Sequence, residues 1–131
     1  MAEHPNVVAA RGSMEAFQRR DLEAFAAGVH DDVVWHAPGT NRFSGSFDGK
    51  AASLQRFMDQ AAAGVSFEIA DIHDVVGNDD HVVALVNSRV TGPGGELTNP
   101  AVFVMHVQDG LLREFWGMNE HQDQVDKVVD G

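Results

Sequence analysis

Residues 31–39 read D-D-V-V-W-H-A-P-G and are followed by T-N-R-F-S-G through residue 45. The apolar run V-V-W after two Asp residues predicts a short strand, and the Pro38-Gly39 pair predicts the turn that ends it. His36 lies beside a Trp at the mouth of this turn, which raises the question of a chemical role.

Two helices are predicted before this strand. Pro5 suits the first position of a helix over about residues 5–19, with apolar residues spaced to share one face. Asp21 can cap a second, short helix, and Gly28 would end it.

A third helix is predicted after the strand, within residues 50–64. Its apolar side chains recur at the i, i+3, i+4 and i+7 positions of a core-facing helix: Leu54, Phe57, Met58 and Ala61. We therefore expect this face to pack against the sheet.

Four β-like runs follow, at residues 65–76, 81–91, 97–107 and 111–118. Their connections, G-N-D-D, G-P-G-G and Q-D-G, are typical of hairpins, so an antiparallel meander is predicted. The fold class is α+β, with three N-terminal helices packed on a curved, mainly antiparallel sheet. We expect residues 1–131 to form a single domain.

Composition excludes several classes of function. The 131 residues are 44% hydrophobic and 22% charged, which indicates a packed globular fold. A formal charge of -11 disfavours nucleic acid and anionic lipid as partners. The absence of Cys excludes disulfides and thiolate metal sites but leaves the compartment open. There is no apparent leader and no membrane-length apolar run, so we expect a cytoplasmic protein.

The order of elements resembles the nuclear transport factor 2-like superfamily over roughly residues 8–128. D-D-V-V-W-H-A-P-G, the later S-G and G-K pairs, the E-F-W strand and the tail N-E-H-Q-D-Q-V-D are similar to its SnoaL-like and ketosteroid-isomerase-like branch. The resemblance implies a cone-shaped fold with an apolar pocket for a small hydrophobic molecule. It also implies a homodimer through the outer sheet face, with Val102, Val104 and His106 at or near the interface.

The resemblance does not carry over the catalytic groups of the steroid isomerases. Their general base would fall on Ala37 and their two oxyanion donors on Ser13 and Phe103, and the chain has no Tyr. Steroid isomerisation by that mechanism is therefore not expected.

The apparatus of the limonene-type epoxide hydrolases is also incomplete. The matching segments are Arg89-Val90-Thr91 and Trp116-Gly117-Met118, so the Arg is present while both acids are replaced. Without a carboxylate to activate water, that mechanism is not expected either.

Strand alternation extends the predicted pocket from two residues that the resemblance places inside. If Trp116 faces inward, Glu114 and Met118 share its face, and an inward Phe103 brings Asn99 and Met105 with it. The neighbouring strand would add Leu85, Asn87 and Arg89. Glu114 is then either a general acid or base, or one half of a structural ion pair with Arg89.

His36 is a second candidate proton carrier because histidine is a common general acid and base in proteins, and it lies one residue before the position of the missing base. By alternation it points away from Trp35 unless the turn rotates it inward. The predicted catalytic residues are Glu114, His36 and Arg89. The predicted ligand contacts are Trp35, Asn41, Met58, Leu85, Asn87, Asn99, Phe103, Met105, Trp116 and Met118.

No metal or other cofactor is predicted. The seven His residues are scattered, without an H-x-x-x-H or H-x-H pair. Two functions remain open. One is acid-base chemistry on a small apolar molecule, of isomerase, cyclase or dehydratase type, and the other is a non-catalytic module that binds a hydrophobic ligand or a protein.

Overall fold

A computed structural model describes residues 3–131. The elements run in the order α1 Pro5–Gln18, α2 Leu22–Ala27, β1 Val29–Ala37, β2 Gly45–Asp48, α3 Lys50–Ala62, β3 Ser66–Gly77, β4 Val82–Gly92, β5 Gly95–Gln108, β6 Leu111–Asn119 and α4 Gln122–Asp130. The three N-terminal helices and the four-stranded meander confirm the predicted α+β class. Strand β2 and helix α4 were not predicted.

The strands form one mixed sheet in the order β2-β1-β6-β5-β4-β3. Neighbours pair antiparallel except β1 and β6, which run parallel with Trp35 opposite Phe115 and His36 opposite Trp116. This junction closes the meander onto the first strand. It also fixes which side chains of both strands face the helices.

The first two helices begin as predicted. Pro5 opens α1, where its missing N–H costs nothing. The carboxylate of Asp21 accepts a hydrogen bond from the Ala24 N–H at 3.1 Å, and Gly28 ends α2. The starts of both helices and the end of α2 therefore follow from local chemistry.

Helix α3 occurs where it was predicted, and Leu54 and Phe57 of its predicted face pack against the core, but Met58 and Ala61 of that face are exposed. The buried residues are Ser53, Arg56 and Gln60, while Met58 is 60% exposed. The helix is thus rotated about one residue from the face that its apolar pattern favoured. Three polar side chains occupy positions that hydrophobic periodicity assigns to the core.

The tail forms α4, whose Val125, Val128 and Val129 have the i, i+3, i+4 spacing of one helical face. They pack in a second apolar cluster with Val65 and Val90 at one end of the sheet. The larger cluster lies between the sheet and helices α1 to α3. At the β4–β5 turn, a Cβ on Gly94 would lie 2.2 Å from the Lys127 carbonyl oxygen, so only glycine permits this approach.

Asp126 ties α4 to the loop that follows β1. Its carboxylate accepts hydrogen bonds from Asn41 Nδ2 at 2.7 Å, Gln122 Nε2 at 2.9 Å and the Thr40 N–H at 3.1 Å. Burial alone would raise the pKa of Asp126, but these hydrogen bonds outweigh burial and hold the pKa below its usual range. The loop is therefore held by a charged acceptor.

We expect Asp126→Asn to lower the free energy of unfolding at pH 7 by about 1–3 kcal/mol, because charge-assisted hydrogen bonds are lost. The folded-state pKa is depressed, so the stabilisation is complete above the usual value of 3.8 and is lost as pH falls through the lower folded value. Urea unfolding across this pH range checks both points. The exposed Asp80→Asn variant serves as control, and an equal loss there would contradict the assignment.

Candidate functional site

A cavity of about 100 Å³ lies between the three N-terminal helices and the inner face of the sheet. Most of the side chains that line it are apolar, and seven of them are aromatic: Phe17, Phe25, Trp35, Phe57, Phe67, Phe103 and Phe115. An apolar cavity with few polar groups is the usual form of a small-molecule site.

The aromatic wall is built on Trp35. Its ring stacks on Phe115 with centroids 3.9 Å apart and an angle of 12° between the planes. Phe57 and Phe25 meet the same indole edge-on, at 5.3 Å and 6.1 Å. These contacts hold the wall in place without a ligand.

Three neutral polar side chains line the cavity, those of Ser13, Ser88 and Asn119. Asn99 is fully buried behind two of them, and its Nδ2 donates to Ser88 Oγ at 2.8 Å and to Asn119 Oδ1 at 3.4 Å. Its own Oδ1 accepts the His121 N–H at 3.2 Å. The structure therefore places Asn99 as a support of the cavity wall, not on its surface.

Two charged residues also line the cavity, Arg56 and Glu68. Glu68 stands opposite Arg89 in the β3–β4 register and forms an ion pair with Arg20. Arg56 is buried, and its Nε donates to the Phe43 carbonyl oxygen at 2.9 Å. Burial lowers the pKa of Arg56 to about 10, so the side chain remains a cation at neutral pH.

The three positions at which the resembling steroid isomerases hold their catalytic groups all line the cavity. They are Ala37, Ser13 and Phe103. The structure thus has the expected place for that chemistry, filled with side chains that cannot act as its base or its oxyanion acid.

The predicted inward orientation of Trp116 was wrong. Phe115 is opposite Met105 and lines the cavity, so Trp116 lies on the outer face with Glu114 and Met118. The β5–β6 register shifts between His106 and Val107, and this irregularity breaks simple alternation from Leu112 onward. The prediction took Trp116 as inward from the resemblance, and alternation then carried Glu114 and Met118 to the same wrong face.

His36, Glu114 and His106 form a cluster on this outer face. His36 Nε2 lies 2.7 Å from Glu114 Oε2, and His36 Nδ1 lies 2.8 Å from Ser46 Oγ. His106 Nδ1 is 3.5 Å from Glu114 Oε1, and both imidazoles pack on Trp116 with centroids 5.0 Å away. The two predicted proton carriers therefore meet each other but not the cavity.

The inward orientation predicted for three residues of β4 was also wrong. Val82, Ala84, Val86 and Ser88 face inward, which puts Leu85, Asn87 and Arg89 outside. Asn87 donates to the Asp71 carboxylate, and Arg89 lies 3.4 Å from Glu96 instead of meeting Glu114. The run V-V-A-L-V is apolar on both faces of the strand, so its sequence does not indicate which side chains face inward.

Two further predicted ligand contacts lie elsewhere. Met58 is exposed on α3. Asn41 is buried in the loop after β1, where its Oδ1 accepts the Phe43 N–H at 2.9 Å and its Nδ2 donates to Asp126. Trp35, Phe103 and Met105 do line the cavity, and their contact with a ligand stays a prediction.

Sequence reasoning missed Arg56 and Phe115 as cavity residues. A signal for Arg56 was present, because Ser53, Arg56 and Gln60 are spaced as one face of α3. Phe115 was missed because its neighbour Trp116 was predicted to be the inward-facing aromatic residue. Within residues 3–131, no group of three His, Asp or Glu side chains could hold a metal ion, and no helix is long and apolar enough to cross a membrane.

The fold and cavity define a pocket protein of the nuclear transport factor 2-like type. Residues 10–115 match the SnoaL-like domain, and the chain belongs to this family. No curated protein matches the sequence.

Solved structures share the fold at low sequence identity. A protein of unknown function with a cystatin-like fold from Xanthomonas campestris is 24% identical with a TM-score of 0.86, over 96% of this chain and 98% of that chain. A putative polyketide cyclase from X. campestris pv. campestris is 20% identical with a TM-score of 0.76, over 95% and 96%. An M. tuberculosis LEH-like epoxide hydrolase is 19% identical with a TM-score of 0.73, over 95% and 89%.

The two Trp residues allow the placement of the faces to be tested. We expect Trp116→Phe, which leaves the buried Trp35, to give fluorescence that resists acrylamide quenching. Trp35→Phe, which leaves the half-buried Trp116, should give strongly quenched fluorescence. Acrylamide is chosen because iodide would be repelled by the net charge of -11. The protein is kept dilute so that self-association through the outer face does not shield Trp116. Equal quenching of the two variants would contradict the placement of Trp35 inside and Trp116 outside.

Proposed function

We propose that this protein binds a small, largely apolar molecule in the cavity between its helices and sheet. The observation that carries the proposal is the preformed aromatic wall around Trp35, interrupted by a few hydrogen-bonding side chains. Such a wall supplies burial energy to a ligand, and Ser13, Ser88 and Asn119 can orient its polar atoms.

Acid-base conversion of that molecule, of isomerase, cyclase or dehydratase type, is the second candidate. The fold neighbours described as a polyketide cyclase and an epoxide hydrolase favour it by analogy of fold alone. Its weakness is the site itself, because His36, Glu114 and Arg89 lie on the other face of the sheet. Binding therefore ranks first, because Glu68, the one carboxylate among the described residues that line the cavity, is paired with Arg20.

We expect compounds from an aromatic, terpenoid and polyketide-like panel to raise the melting temperature of the wild type. A ligand that binds only the native state stabilises it by about 2.7 kcal/mol at about 100 times its Kd. Gly117→Leu should abolish the shift, because the added side chain would occupy the cavity beside Pro38 and Phe115.

The matched control for this experiment is Gly12→Leu, since Gly12 is exposed on α1 with nothing within 4 Å of an added Cβ. Each variant is compared with its own unliganded melting temperature. Equal shifts in the two variants would place the bound compound outside the cavity. For the enzyme alternative, a compound that binds is followed for turnover in wild type, His36→Gln and Glu114→Gln, and loss of turnover in both variants would restore the predicted proton carriers.

We also propose that two copies associate through the outer sheet face. Exposed apolar side chains gather there on adjacent strands, with Leu85 40% and Met118 48% exposed beside Val102, Val104 and Trp116. A contiguous apolar patch of this kind on a sheet is typical of protein interfaces. His106 borders the patch through its contact with Trp116.

Sedimentation of the wild type should give a dimer, and Leu85→Glu with Met118→Glu should give a monomer because each charge would be buried without a partner. Met58→Glu adds the same charge at an exposed Met on α3, away from the sheet, and should leave the dimer intact. A wild-type protein that sediments as a monomer at micromolar concentration would rule out the proposed dimer.

A further inference from the structure

The cavity contains a buried cation with no anionic partner. Arg56 is only 9% exposed and lines the cavity from the inner face of α3. Within residues 3–131, no carboxylate forms an ion pair with it, and its side chain makes a single hydrogen bond, from Nε to the Phe43 carbonyl oxygen. The remaining N–H groups of the guanidinium are therefore available.

The protein offsets only part of the cost of burying this charge. The guanidinium carbon lies 5.4 Å from the Phe47 ring centroid and 5.6 Å from that of Phe57, so two aromatic rings face the cation. A buried charge that lacks an ion pair is otherwise unfavourable. The charge is also unusual for this chain, in which acidic residues outnumber basic ones by 20 to 9.

A purely structural role would not require a guanidinium. The bond to the Phe43 carbonyl needs one donor, and a neutral amide supplies it without the cost of a buried charge. Gln60, one turn further along α3, is 3% exposed with its Nε2 unpartnered in the described chain, so this helix face carries more donors than the protein uses. Of these two side chains only Arg56 lines the cavity, where its unused N–H groups can meet an acceptor that comes from outside.

We propose that the ligand of this cavity carries an anionic oxygen, as a carboxylate or an acidic enol, on a small apolar ring, and that Arg56 binds this oxygen. The inference rests on the proposed binding function and adds the chemical class of the ligand. A planar guanidinium pairs with two oxygens of a carboxylate at once, which a neutral polar group cannot do. The aromatic wall receives the rest of the molecule.

The size of the cavity sets the probe. An apolar cavity of about 150 Å³ holds a benzene molecule, so the present volume of about 100 Å³ suits one ring with small adjustments of the wall. Benzoate and benzamide have nearly the same shape and differ in charge. Comparing them isolates the contribution of the anion.

The experiment measures the affinity of both compounds for the 131-residue chain at pH 7 by ligand-observed NMR titration. The wild type should bind benzoate about 10 to 100 times more tightly than benzamide, the range expected for a buried hydrogen bond to a charged group. Arg56→Met should remove this preference but still bind benzamide, and Arg56→Lys should keep part of the preference. Arg19→Met makes the same charge change at an exposed site and should preserve the wild-type ratio.

The outcomes separate the two proposals. If the wild type binds both compounds equally, or Arg56→Met keeps the preference, the anionic ligand is ruled out while the binding cavity stands. If the wild type binds neither compound at millimolar concentration, the proposed cavity function fails for single-ring ligands and this inference fails with it. Thermal unfolding of each variant shows whether it is folded. If Arg56→Met does not fold, the ratio of the wild-type affinities for benzoate and benzamide still decides the question.

Discussion

The parallel pairing of β1 with β6 is the constraint on which the rest of the structure depends. By aligning Trp35 with Phe115 it creates the stacked aromatic pair at the base of the cavity. The same register sends His36 and Trp116 to the other face. One alignment of two strands thus decides that the inside of the molecule is aromatic and that its imidazole cluster is outside.

Most of the fold could be predicted from the sequence because its signals are local. Pro5, Asp21 and Gly28 mark helix ends through their own backbone chemistry, and the hairpin turns mark the meander. The α4 helix was missed because its three core valines lie in an acidic tail. Their helical spacing was nevertheless present and could have been used.

The site was harder to predict, since it depends on which face each strand presents. That choice rests on register, and taking Trp116 as inward from the resemblance carried Glu114 to the wrong face with it. On β4, apolar residues on both faces left Leu85 and Arg89 without a distinguishing pattern. The resemblance and strand alternation together found the cavity-lining Phe103 and Met105, whereas Arg56 was missed because hydrophobic periodicity weighs apolar residues and passes over a polar face such as Ser53, Arg56 and Gln60.

The loop after β1 joins parts of the molecule that are far apart in sequence. Asp126 on α4 holds it through Asn41 and Thr40, while Arg56 holds it through the Phe43 carbonyl, and Pro38 at its start forms part of the cavity wall. The loop is therefore a thermodynamic link between the last helix of the chain and the interior. If the proposed ligand repositions Arg56, it also alters the free energy of holding α4 on the sheet, and by reciprocity the docking of α4 alters the affinity for that ligand.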